Sequence, residues 1–193
     1  MDEIQEEICT RLPTSTLFLE EECLKTSAEL HEILDPLLGR DRVFGRMSGL
    51  QLGDYFDFSR LQQARIAVAR AAPDGPVVVL GTGAWLIAPA DATLLCADIV
   101  RWEVQLCRRR GQIGNFGLNN AADDPATEYK CGFFAEWRAA DRLKTSLLSR
   151  IDFLLDTNQI LEPKLISGDA FRAALDFTAQ RPFRVVPDFD PGP

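Results

Sequence analysis

Three groups of residues in this chain have the types and spacing to do chemistry. The first is the turn Gly81-Thr82-Gly83, which closes the aliphatic run Val77-Val78-Val79-Leu80. Two glycines let a backbone turn sharply at a strand's carboxyl end, the place where open α/β sheets take their ligands. The second is the basic set Arg101, Arg108, Arg109 and Arg110, the densest in the sequence. A guanidinium grips phosphate with two parallel hydrogen bonds, yet cations closing a helix also offset its dipole, and Asp98 and Glu103 stand near enough to pair with them. The third is acidic: Asp98, together with Asp54 and Asp57, which flank Tyr55-Phe56 and are placed either for a general base or as turn carboxylates. Gly81, Thr82, Gly83, Arg101, Arg108, Arg109 and Arg110 therefore form a candidate phosphate-binding set, with no catalytic residue assigned.

Other signatures are incomplete. Gly81-Thr82-Gly83-Ala84-Trp85-Leu86 begins like a dinucleotide fingerprint, but Leu86 stands where the third glycine belongs. The pattern G-x-x-x-x-G-K-[ST] is absent from the chain, and with it the lysine that reaches β- and γ-phosphates. His31 is the single histidine, and no cluster has metal-ligand spacing, so neither a metal site nor a cofactor is expected here. Cys9, Cys23, Cys96, Cys107 and Cys131 lie far apart, as reduced thiols of a cytosolic protein do, and Cys96 reads as a core residue.

A formal charge of −8 argues against nucleic acid as a partner. No apolar run approaches the roughly 20 residues that cross a bilayer. The start, Met1-Asp2-Glu3-Ile4, is acidic, unlike a secretory signal. A cytoplasmic location without a membrane partner is the expectation.

The elements that must position these groups alternate. A short strand is expected at 15–19 and a helix over 28–38, capped by Thr26-Ser27 with Glu29 in its first turn. The stretch 43–55 reads as irregular. Asp57 or Ser59 caps a helix over 60–72, and Pro73-Asp74-Gly75 turns into the strand 77–80. A second buried strand spans 92–98, followed by an amphipathic helix over 99–110 and a flexible polar loop, 111–120. The segment 125–148 reads as helix with Tyr129, Phe133, Phe134 and Trp137 on its apolar side. A strand at 151–156, a helix at 170–180 and a last strand at 183–186 complete the pattern. Strands separated by helices predict an α/β fold, a mostly parallel sheet flanked by helices.

These pieces resemble the uridine-kinase-like branch of the P-loop nucleoside kinases: a buried strand ending in a turn (77–83), a strand ending in an acid (Leu94 to Asp98), then an Arg-rich helix (Arg101 to Arg110). The family's usual glutamate at the first strand's end is replaced by the glycine turn and its P-loop is missing, so the resemblance implies a degenerate, incomplete kinase-like fold. The later motifs Gly111-Gln112-Ile113-Gly114-Asn115-Phe116-Gly117, 128–138 and 181–193 look like bacterial proteins of the class I mannose-6-phosphate isomerase type, in which a kinase-like region is fused to a zinc-dependent cupin barrel.

That resemblance implies a kinase-like accessory domain over 1–187 and, over 188–193, the start of a linker to a cupin domain. Zinc and the catalytic residues would belong to the cupin, its partner in cis. This chain alone would be inactive, and it would bind a small phosphorylated ligand or form a homo-oligomer. Two alternatives stay open: a nucleoside or sugar phosphotransferase whose P-loop lies upstream of Met1, and a stand-alone sensor of a phosphorylated ligand.

Overall fold

A computed structural model describes residues 2–159 and 162–182. In chain order it contains α1 (Asp2–Arg11), β1 (Thr16–Leu19), α2 (Ser27–Leu38), α3 (Phe58–Ala71), β2 (Val77–Leu80), β3 (Leu95–Asp98), α4 (Arg101–Arg109), α5 (Pro125–Cys131), α6 (Trp137–Leu147), β4 (Phe153–Asp156), β5 (Lys164–Ser167) and α7 (Gly168–Ala179). The expected strand at 183–186 and the linker at 188–193 lie outside the described residues.

Local chemistry sets the helix starts. Thr26 and Glu29 close a reciprocal capping box: the Glu29 N–H donates to the Thr26 hydroxyl at 3.3 Å, and the Thr26 N–H donates to the Glu29 carboxylate at 2.8 Å. Asp57 rather than Ser59 caps α3, accepting from the Arg60 N–H at 2.8 Å. Ser167 caps α7 through the Ala170 N–H. α5 and α6 form one rod joined by a wide π turn, Gly132–Glu136.

The chain is mixed α/β, with the strands in two small sheets rather than the single sheet expected. β1 and β2 pair in parallel with Leu19 opposite Leu80. In the other sheet β4 is central, parallel to β3 and antiparallel to β5. β3 begins only at Leu95, because the Leu94 N–H turns to the Asp152 carboxylate at 2.8 Å instead of a neighbouring strand. β5, a four-residue run squeezed between Pro163 and a helix cap, carries too little pattern to be read from sequence.

The expectation that 92–98 is a buried strand does not hold. Directly paired residues share a face, so Leu95 and Phe153 lie together, with Leu155 and Leu165 two residues further along. Leu95 is 50% and Leu165 54% exposed, and no described element covers them. Cys96, on the opposite face, is only half-buried. The core lies elsewhere, between α2, α3, the Leu52–Tyr55 turn and the α5–α6 rod, around Leu30, Leu34, Leu52, Tyr55, Phe56, Leu61, Cys131, Ala135 and Ala139. Among the described residues no helix is long and apolar enough to cross a membrane.

Candidate functional site

The first candidate location is the carboxyl edge of the β1–β2 pair. Parallel register brings Glu20, the residue after β1, beside Gly81, the residue after β2. Gly81 has φ +140°, a conformation open to glycine, and a β-carbon there would overlap the Glu20 carboxylate. The amides of Thr82 and Gly83 face that carboxylate and pull its pKa down, but burial outweighs them and pushes it above the usual glutamate range. Glu20 is 2% exposed. Backbone amides gathered in a turn make an anion-binding concavity; here the chain's own carboxylate fills it. Gly83 lies on the Phe56 ring, and Trp85 stacks on the Arg150 guanidinium, 5.1 Å from the ring centroid.

The second location surrounds α4, and the four arginines diverge. Arg101 pairs with Asp141 and lies over Trp137. Arg108 turns inward and donates to both Glu136 oxygens, at 2.9 and 2.8 Å, and to the Glu128 carbonyl at 3.2 Å. Gly132 makes room for it, since a β-carbon there would strike the guanidinium. Arg109 lies over Trp102, while Arg110 sits exposed at the helix end, its N–H on the Leu106 carbonyl.

Asn115 completes the buried network by donating to Glu136 at 2.6 Å and to the Glu128 carbonyl at 3.1 Å. Its own N–H is held by Asn120. The 111–120 segment expected to be flexible is therefore anchored on both sides. Glu128 is buried with neither carboxylate oxygen partnered, and desolvation raises its pKa.

The sequence-marked acids are engaged structurally. Asp57 caps α3, and Asp54 accepts from the Gln51 N–H at 2.7 Å. Asp98 accepts from Lys144 at 2.7 Å across from β3 to α6. Among the described residues no hydrogen bond or ion pair joins Gly81, Thr82 or Gly83 to the arginines of α4. Nor do any three His, Cys, Asp or Glu side chains converge to hold a metal ion, so no step through zinc is assigned to this chain.

Arg108 and Arg109 line a cavity of about 640 Å³ bounded also by the Arg42–Phe44 segment, α5 and the π turn. Lys130 on its wall is 5% exposed and donates to the Gly39 carbonyl at 3.3 Å and to that of Asp41. Tyr129 is exposed, contrary to the apolar face expected for it. The inward side of the rod is instead Cys131, Ala135 and Ala139, whose small side chains four residues apart let the core close against it.

Glu20, Asn115, Glu128, Lys130 and Glu136 were not marked by the sequence. For Asn115, Lys130 and Glu136 the one signal available was a nearby glycine or small residue, where a polar group can reach backbone.

A family model matches residues 1–180. The chain belongs to that family, described as a domain of unknown function (DUF8485). No curated protein and no solved structure matches this DUF8485 chain. The match spans both candidate locations, from Glu20 to the α5–α6 rod.

Proposed function

We propose that this chain is the non-catalytic, kinase-like accessory portion of a mannose-6-phosphate isomerase-type protein, in which a zinc cupin half carries out the aldose–ketose isomerisation. The reading joins the resemblance of the 111–117, 128–138 and 181–193 motifs to one structural observation. An apolar sheet face, Leu95, Phe153, Leu155 and Leu165, stands in register, with Leu95, Phe153 and Leu165 exposed. Contiguous apolar surface of this kind marks an interaction site, and the cupin half in cis is the occupant we assign to it. The internal use of Glu20, Asp54, Asp57 and Asp98 supports the non-catalytic part. Each is already committed to an amide, a helix cap or a lysine.

The test has two arms. Purified chain is assayed for conversion of mannose 6-phosphate to fructose 6-phosphate with added Zn²⁺, and for ATP-dependent phosphorylation of nucleosides and sugars. No turnover is the expected result, and turnover of either kind refutes the accessory reading. In the second arm the chain is mixed with a separately produced cupin half and the complex is sought by size-exclusion chromatography. A complex lost in Leu165→Asp supports the docking face. Failure to associate, or association indifferent to that substitution, overturns it.

A further inference from the structure

The cavity beside α4 has a lining that the accessory reading does not use. Its volume of about 640 Å³ falls within the roughly 300–1,000 Å³ of small-molecule sites. Four of its lining residues, Arg42, Arg108, Arg109 and Lys130, are cations and none is acidic, in a chain of net charge −8. Four more are aromatic.

The cations are not equivalent. Arg108 is locked onto Glu136, and Lys130 onto the Gly39 and Asp41 carbonyls. Arg42 is held at the rim by Asp124, with both bonds at 3.2 Å. Arg109 has no carboxylate partner among the described residues and lies along Trp102. It is the guanidinium left to meet an anion, and the fixed charges behind it add to the attraction.

The aromatic side is an offset stack, with the Arg138 guanidinium over Phe133. The Tyr129 and Phe133 rings are nearly parallel, 13° apart in plane with centroids 6.0 Å apart. Phe44, 72% exposed, stands at the mouth. Beyond the Tyr129 hydroxyl, Gln105 is the one neutral polar side chain of the lining. A plain sugar phosphate, with several hydroxyls to satisfy, finds few partners there, whereas an aromatic ring finds a surface on which to stack.

We propose that this cavity binds a small anion carrying an aromatic ring, of the chemical class of a nucleoside monophosphate. Its ring packs against the exposed Phe44 and Tyr129 and its phosphate meets Arg109, with Arg42 closing from the rim. The site is separate from the Gly81-Thr82-Gly83 turn, whose amides Glu20 already occupies, and it does not depend on the isomerase reading.

The test is isothermal titration of the full chain with AMP and with UMP, set beside ribose 5-phosphate and inorganic phosphate. At least one nucleotide is expected to bind with a Kd below about 1 mM, with the two anions that lack an aromatic ring weaker by about tenfold or more, the equivalent of one stacking contact. Arg109→Ala and Phe44→Ala, both at exposed positions, are each expected to weaken the nucleotide about tenfold while leaving the circular dichroism spectrum unchanged. Three results overturn the proposal. These are no heat from either nucleotide up to about 5 mM, equal binding of ribose 5-phosphate, or nucleotide binding unaffected by both substitutions.

Discussion

Replacing Arg108 by Met strands two carboxylates in the interior. The guanidinium is buried, pairs with Glu136 through two bonds at 2.9 and 2.8 Å, and is the nearby cation that lowers the Glu128 pKa against desolvation. Removing one partner of a buried pair costs about 3–5 kcal/mol, because the other charge remains desolvated and unpaired. Against a total stability of about 5–15 kcal/mol this is a large fraction. For a chain of this size the same loss lowers Tm by about 6–20 °C.

Urea unfolding at pH 7 measures it, with an unchanged slope showing that the unfolded state is not the cause. Glu136→Gln in the Arg108→Met background then removes one stranded charge. It is expected to cost less there than in the parent, by a coupling of about 1–3 kcal/mol. Loss below about 1 kcal/mol for Arg108→Met, or additivity of the two substitutions within about 0.5 kcal/mol, refutes the reasoning.

Two further outcomes follow from the buried acids and the glycine turn. Burial raises the pKa of Glu20 and Glu128, so their protonated forms favour the fold: stability is expected to climb as pH falls from neutrality towards the ordinary glutamate range. Below that range it is expected to decline as Glu29, Asp41 and Asp57, whose pKa values their hydrogen bonds lower, lose those bonds on protonation. Chemical denaturation from pH 7.5 to 3.5 checks the shape, and the double variant Glu20→Gln/Glu128→Gln should flatten the upper limb. Gly81→Ala is expected to cost about 1–3 kcal/mol from its positive φ alone and more from displacing Glu20. Gly49→Ala, exposed with open space around its α-carbon, should stay within about 0.5 kcal/mol in the same assay.

The elements legible in the sequence were those written in local chemistry. Thr26 with Glu29, and Asp57 ahead of an apolar face, announce helix starts through caps that form within four residues. The aliphatic run 77–80 announces its strand. What stayed hidden depends on distant partners. Whether Leu95 and Leu165 are covered is decided by which sheet their strands join, and short strands carry no record of that choice.

The candidate site was legible by residue type but not by arrangement. Arg108 and Arg109 are sequence neighbours, yet one points into the interior and the other lies along Trp102. Glu20 gave no signal at all, being one of three consecutive glutamates of which only it is buried. The apolar side read for 125–148 found the buried Trp137 but missed at the exposed Tyr129 for a further reason: a single helical period was drawn across two segments that do not share one.

That break in period has a mechanical meaning. A residue added to or taken from a helix turns everything beyond it by about 100°, and the wide turn at Gly132–Glu136 is where this chain sets the angle between the two halves of its longest rod. On the near side Lys130 is tied to the Gly39 carbonyl; on the far side Arg142 holds the Ser48 and Leu50 carbonyls, and Lys144 holds Asp98. The turn thus acts as a phase coupling, letting one continuous helix meet two surroundings whose spacing a uniform helix would not match. Shortening it by one residue would swing Arg142 and Lys144 off their partners together. The segment linking the 39–50 stretch to the second sheet would then lose both fastenings through a change that touches neither of them.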